Sequence, residues 1–330
     1  MSLFSKKLVS VVCCLAPFSA GAASLAYPDG LNIGSTDTSQ TIDATIDPIT
    51  GKPKYDGLVL GDGTTTNGLN VAGAVDIGGT EHPQGGTGGL AVLREAGVFT
   101  IQSDGNITIG NNLKIASGVT LGIQNGTAAG MDVSIGGTIN ALGALSVVAN
   151  SGVAGGGINS FTSGAINASD TLRISAGTIN TGAIEVVATT ANAEINLNAT
   201  DSVSMKQFSY KNANNTGKIE AGGNITSGTI QNLAGSLNIT AGGDLELTTD
   251  TNISGSLENK AAGTVTVSAK NITVAGAITN EDTSGTMNIN GDSLTINGGN
   301  PNNASIVNSG VFVANISGLT KIAQNIDWNN

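Results

Sequence analysis

Side chains able to do acid–base or metal chemistry are few in this sequence, and they stand apart. There is one histidine, His82, in a Pro/Gly-rich stretch, and only two arginines, Arg94 and Arg173. Glycosidic cleavage needs two carboxyl groups at a fixed separation, one to protonate the leaving oxygen and one to act as base or nucleophile. No alternating segment carries paired Asp, and the nearest acidic pair, Glu281-Asp282, reads as a turn. Clustered Asp with Ca²⁺ and a basic side chain, or paired Asp with His, is therefore not indicated. Ser103-Asp-Gly-Asn106 and Gly61-Asp-Gly63 are turn chemistry, and no Gly-Gly-x-Gly-x-Asp calcium repeat occurs. Gly85-Gly-Thr-Gly-Gly89 lacks the Lys and the strand–helix setting of a phosphate loop. Thr64-Thr-Thr66 and Thr248-Thr249 are too irregular for an ice-binding face. The expectation is a protein that is not an enzyme, with no catalytic residues, no metal and no cofactor.

Binding is the class that remains. One stretch, Lys206 to Asn215, interrupts an otherwise repetitive region and gathers Lys206, Phe208, Tyr210 and Lys211. It is the candidate ligand region, because specificity is more easily placed in what breaks a repeat than in the repeat itself.

The elements that must position such a region are short alternating strands. Gly228-Thr-Ile-Gln-Asn232, Gly255-Ser-Leu-Glu-Asn259 and Gly276-Ala-Ile-Thr-Asn280 are one phrase used three times. Each leads into an alternating run: Leu237-Asn-Ile-Thr, Val265-Thr-Val-Ser and Met287-Asn-Ile. Ala221-Gly-Gly-Asn-Ile225 returns as Ala241-Gly-Gly-Asp-Leu245, 20 residues later. Further back, Gly137-Thr-Ile-Asn140, Gly164-Ala-Ile-Asn167 and Gly177-Thr-Ile-Asn180 align in the same way. A phrase returning every 20 to 30 residues means stacked coils, each one too small to bury its own apolar face. Alternation sends one set of side chains inward and the other to water. Sustained helical periodicity is missing. Gly and Asn take the turns because both tolerate left-handed backbone cheaply. Asn140, Asn167, Asn180, Asn232, Asn259, Asn280 and Asn308 are expected to stack as amide ladders.

The fold class is accordingly all-β, a right-handed parallel β-helix with an irregular N-terminal cap. Residues 98–316 are expected to hold the repeats, 23–97 the cap or leader, and 317–330 a C-terminal tail. The stretch 23–97 holds Pro28, Pro48, Pro53 and Pro83 and the looser Gly/Thr-rich segments. A stack needs some cover on its first coil, because an open edge invites other chains to pair with it.

Composition agrees with coils and limits partners. The 330 residues include 48 Gly and 36 Asn, aromatics are 3% and charged residues 11%. The net charge is −11, so the basic footprint of a nucleic-acid-binding protein is absent. Acidity of this size favours solubility and colloidal repulsion.

Residues 1–22 read as a secretory signal peptide. Met1 to Lys7 is a short basic start, Leu8 to Ala20 an apolar core, and Ala20-Gly-Ala22 supplies small residues for cleavage after Ala22. Both cysteines, Cys13 and Cys14, fall inside that core, so a processed chain has no disulfide and no thiol ligand. No internal apolar run reaches the length of a membrane-spanning helix, so no transmembrane segment is expected in the mature chain.

The phrase Gly276-Ala-Ile-Thr-Asn280…Gly285-Thr-Met-Asn-Ile289 resembles the repeats of filamentous-haemagglutinin-like and autotransporter-passenger adhesins of bacteria. The resemblance is one of repeat style across Val98 to about Ile316. It implies a right-handed parallel β-helix exported to the cell surface or the medium. The chain departs from those families in ending at Asp327-Trp-Asn-Asn330 with no barrel. Asn300-Pro-Asn-Asn303 lacks the glycine of their Asn-Pro-Asn-Gly motif. The function expected is a secreted or cell-surface, non-catalytic adhesin-type rod that binds a surface glycan, matrix or cell-surface ligand. A second expectation is a subunit of an extracellular fibre or matrix self-associating end to end. A polysaccharide-degrading enzyme ranks third.

Overall fold

The computed structural model describes residues 106–109, 112–115, 117–125, 132–149, 159–188, 192–248, 255–298 and 304–328, with the backbone of strands between residues 25 and 103. Residues 1–22 and most of 23–97 lie outside that description. Among the described residues the chain is all strand and turn, with no helix. No helix there is long and apolar enough to cross a membrane. The strands stack as a parallel β-solenoid.

Each coil visits three sheets in turn. In the first, Leu113, Ile139, Ile166, Ile184, Phe208, Ile230, Leu257, Ile278 and Ile306 stand in one Cα register. In the third, Val133, Phe161, Ile179, Val203, Ile225, Leu245, Ile272 and Leu294 do the same. The second sheet stacks Leu237, Val265 and Met287 beside Ile239, Val267 and Ile289. These side chains are buried. Neighbouring rungs are about 4.8 Å apart, so each aliphatic side chain meets its counterpart above and below. Each fully buried Ile or Leu contributes about 1.5–3 kcal/mol, and the columns are the core.

The imperfect period comes mostly from the connection between the third and first sheets, long from Leu245 to Leu257 and short from Ile272 to Ile278, and to a lesser degree from the turn between the first and second sheets. Asn232, Asn259, Asn280 and Asn308 turn inward there and form a buried ladder. Asn232 Nδ2 donates to Asn259 Oδ1 at 2.9 Å, Asn259 Nδ2 to Asn280 Oδ1 at 2.9 Å, and Asn280 Nδ2 to Asn308 Oδ1 at 2.8 Å. The same four amides donate across the turn to the carbonyls of Gly235, Gly263, Gly285 and Gly310. The Asn–Gly separation in sequence is 3, 4, 5 and 2. Each coil can therefore change its turn length while keeping the same staple. Gly235 has φ +80°, and a Cβ there would meet the backbone oxygens of Asn212 and Asn215, so glycine is required.

Three expectations change. Asn167 Nδ2 does donate to Asn140 Oδ1, at 2.9 Å, but on the exposed face. Asn180 joins neither ladder, because Gly177-Thr-Ile-Asn180 belongs to the third sheet: Ile179 is in register with Phe161, whereas Ile139 and Ile166 are in the first. Within the stretch expected as a C-terminal tail, Thr320–Ile322 and Asn325–Trp328 are strands that pair parallel with the coil before them. Nor does residue 97 mark a break in pairing. The strand Leu58–Leu60 pairs with Gly89–Val92, and that with Asn112–Ile115, all parallel.

Candidate functional site

The region expected to hold the ligand is placed differently from its sequence reading. Residues Ile195–Ala221 are continuous strand, so Lys206 to Asn215 does not leave the stack. Phe208 and Tyr210 take the inward places that Ile184 and Val186 hold one coil earlier. Both rings are fully buried, with centroids 6.4 Å apart and planes 9° from parallel. Neither aromatic side chain is available to a ligand on the rod surface, because alternation fixes both toward the core. Beyond them the chain bulges over Asn212–Asn215, and its polar groups bond inward. Asn212 Nδ2 and Asn215 Nδ2 both donate to the Ala193 carbonyl, and Tyr210 Oη donates to the Asn215 carbonyl at 2.9 Å.

Lys206 and Lys211 are exposed, but on different corners of the coil. Lys211 follows the first-sheet strand and Lys206 precedes it. Only Lys206 stands in a concavity.

That concavity follows from the turn between the third and first sheets. Thr181 is in register with Met205, and Ala183 with Gln207, so Lys206 takes the place of Gly182. One coil further the same place is held by Gly228, whose N–H donates to the Lys206 carbonyl at 3.0 Å. One coil earlier it is Gly164, whose carbonyl accepts from the Gly182 N–H at 3.0 Å. Gly182 is held to glycine by close approach of coils, since a Cβ would lie 2.9 Å from the backbone of Gly164 and Ala165. A lysine thus rises from a row of glycines, with Gly228 lining the open space on one side of it, while at Gly182 the coils approach too closely to admit a side chain.

The result is a groove of about 240 Å³. Its wall is a polar column of the third sheet, Asn180, Ser204 and Thr226 in successive coils and in register. Thr181 and Met205, both largely buried, form the floor, and Thr248 closes one end. Among the described residues, no carboxylate lines it. Lys206 makes no ion pair among the described residues, whereas Lys260 bridges Glu258 at 3.0 Å and Glu281 at 3.8 Å.

Chemically this surface offers hydrogen bonding and one positive charge. One ammonium supplies a point charge and three donors, and hydroxyls and one amide supply mixed donors and acceptors. Among the described residues, no three His, Cys, Asp or Glu side chains gather closely enough to hold a metal ion. The wall residues were not legible as a site. The signal that finds them is an alignment of Thr181-Gly182-Ala183-Ile184, Met205-Lys206-Gln207-Phe208 and Ser227-Gly228-Thr229-Ile230, in which lysine replaces glycine once.

No family model, curated protein or solved structure matches the chain.

Proposed function

We propose that this chain is a secreted or surface-displayed, non-catalytic attachment protein of the β-helical adhesin type. On this reading its lateral face binds a surface glycan, matrix component or cell-surface ligand. The observation that carries it is the groove around Lys206, a concave polar surface on the flank of a rod with one cation that makes no ion pair among the described residues. The signal-like start, Met1 to Ala22, and the repeat style shared with exported adhesins support the extracellular setting. A solenoid suits the task, because stacking fixes the spacing of outward side chains without any ligand present. The test is a panel of immobilised glycans, matrix proteins and intact cells, probed with the purified chain. Saturable binding to at least one of them is expected, and absence of binding throughout the panel removes the proposal.

A second reading is favoured by the coil at residues 311–328. Val311 is 54% exposed and Leu319 70%, and Phe312, Ile316 and Ile322 pack against the core while only partly covered. An open parallel edge of this kind can template another coil, and head-to-tail contacts of that type extend without closing. On this reading the chain is a fibre or matrix subunit that self-associates end to end. Electron microscopy at high protein concentration discriminates: filaments one rod wide support it, and monodisperse short rods exclude it.

A further inference from the structure

Resting on the attachment reading, we infer that the groove around Lys206 takes a sparsely charged acidic glycan, with a sugar carboxylate on the Lys206 ammonium and sugar hydroxyls on Asn180, Ser204 and Thr226. Four observations lead there. First, among the described residues the one charged group lining the groove is the Lys206 cation, and it makes no ion pair there. A bound anion at contact distance gains a charge-assisted hydrogen bond.

Second, the surrounding wall is hydroxyl and amide, chemistry that pairs with hydroxyl-rich ligands through mutual donation and acceptance. Third, these wall residues stand one per coil and in register, a ladder about 4.8 Å per step running along the rod. An extended oligosaccharide lying along the axis meets an uncharged polar group at each of these three steps, and Glu246 takes the next place in the column after Thr226. A peptide fits less well, because strand addition needs an open edge and the edges here are paired with the coils on either side. Fourth, the net charge of −11 repels densely anionic polymers. One cation in one groove complements one carboxylate and not a run of sulfates.

The glycine row makes the site specific to this coil. Gly182 must remain bare for the coils to approach, and Gly228 leaves space on the other flank. The side chain at 206 stands beside the groove that Gly228 lines, and lysine is the residue there.

The experiment is calorimetric titration of the full chain with an otherwise neutral oligosaccharide carrying a single uronate and with the methyl ester of the same oligosaccharide, which removes the charge and keeps the backbone. The acid form is expected to bind at least about tenfold more tightly than the ester, the scale of one charge-assisted contact. Lys206→Gln is expected to bring the acid form down to the ester's affinity. Ser204→Phe, a change at an exposed position, is expected to weaken both forms by filling the groove, and Lys270→Gln to change neither. Equal binding of acid and ester, no binding of the acid form, or full affinity in Lys206→Gln overturns the inference. So does equally tight, Lys206-dependent binding of a polyglutamate peptide, which reduces the groove to a charge sensor. If Lys206→Gln still binds the surface that the wild type binds, the attachment reading stands and this site falls. If nothing in the panel binds, both fall.

Discussion

Tyr210 is in register with Asn232 one coil away, and its ring ends the buried amide ladder. Its phenol turns instead to the Asn215 carbonyl at 2.9 Å, and Asn232 Oδ1 is left buried with no hydrogen-bond partner. A buried acceptor without a donor costs about 1–3 kcal/mol. Removing either Asn232 or Asn259 takes the ladder donor from the next acceptor, Asn259 Oδ1 or Asn280 Oδ1, but only removing Asn232 also eliminates the existing orphan. Asn232→Ala should therefore destabilise by about 1–3 kcal/mol less than Asn259→Ala. Chemical denaturation of the two variants measures the difference, and equal losses contradict the ladder's direction.

The same tyrosine should make stability pH-dependent at the alkaline end. Burial pushes the Tyr210 phenol up to about 12, partly offset by a backbone hydrogen bond. Its folded value lies above its unfolded value, so the stabilisation is complete below the unfolded value near 10 and is lost as pH rises through about 12. Tyr210→Phe keeps the ring and cannot ionise, so its melting temperature should fall less steeply across that window. Parallel curves for the two proteins contradict this.

Arg173 and Glu194 form an ion pair between exposed side chains of adjacent coils. The hydrogen bond from Arg173 holds the Glu194 carboxyl below its usual range, against a smaller opposing effect of burial. Stability from this pair is present above the unfolded carboxylate value and fades as pH falls through the folded one. Solvent screens both groups, so Arg173→Gln should cost no more than about 1 kcal/mol. A carboxyl titration by NMR should show Glu194 returning toward its ordinary value in that variant, and an unmoved titration removes the pair from the account.

Ile239 is 1% exposed, with Val267 in register one coil on. Ile239→Asp places an unpaired charge in a core one coil wide and should cost about 3–5 kcal/mol or more, with neighbouring coils opening together. Hydrogen exchange should show protection lost over the coils adjoining residue 239. An unchanged melt means that residue 239 faces outward.

What was legible in the sequence was whatever repeats. Ile230, Leu257 and Ile278 announce their shared register because each sits in the same Gly-x-apolar-x-Asn phrase, and the same phrase carries Asn232, Asn259 and Asn280 into a ladder. Gly177-Thr-Ile-Asn180 uses nearly the same phrase in another sheet, and only the short span between Ile166 and Ile184 reveals it. Phe208 and Tyr210 look like surface features because aromatics are rare here, yet they keep the alternation and are core. The groove was hidden for the opposite reason. Its wall comes from Asn180, Ser204 and Thr226, ordinary outward residues of separate coils, and only the register between coils brings them together with Lys206.

The central claim is that ligand meets the flank of the rod at Lys206. Lysine acetylation footprinting by mass spectrometry, with and without a saturating oligosaccharide that carries a single uronate, tests it at single residues. The account predicts that Lys206 loses reactivity when ligand is present while Lys114, Lys211, Lys270 and Lys321 keep theirs. Unchanged labelling of Lys206, or protection confined to Lys321 near the exposed last coil, would contradict it.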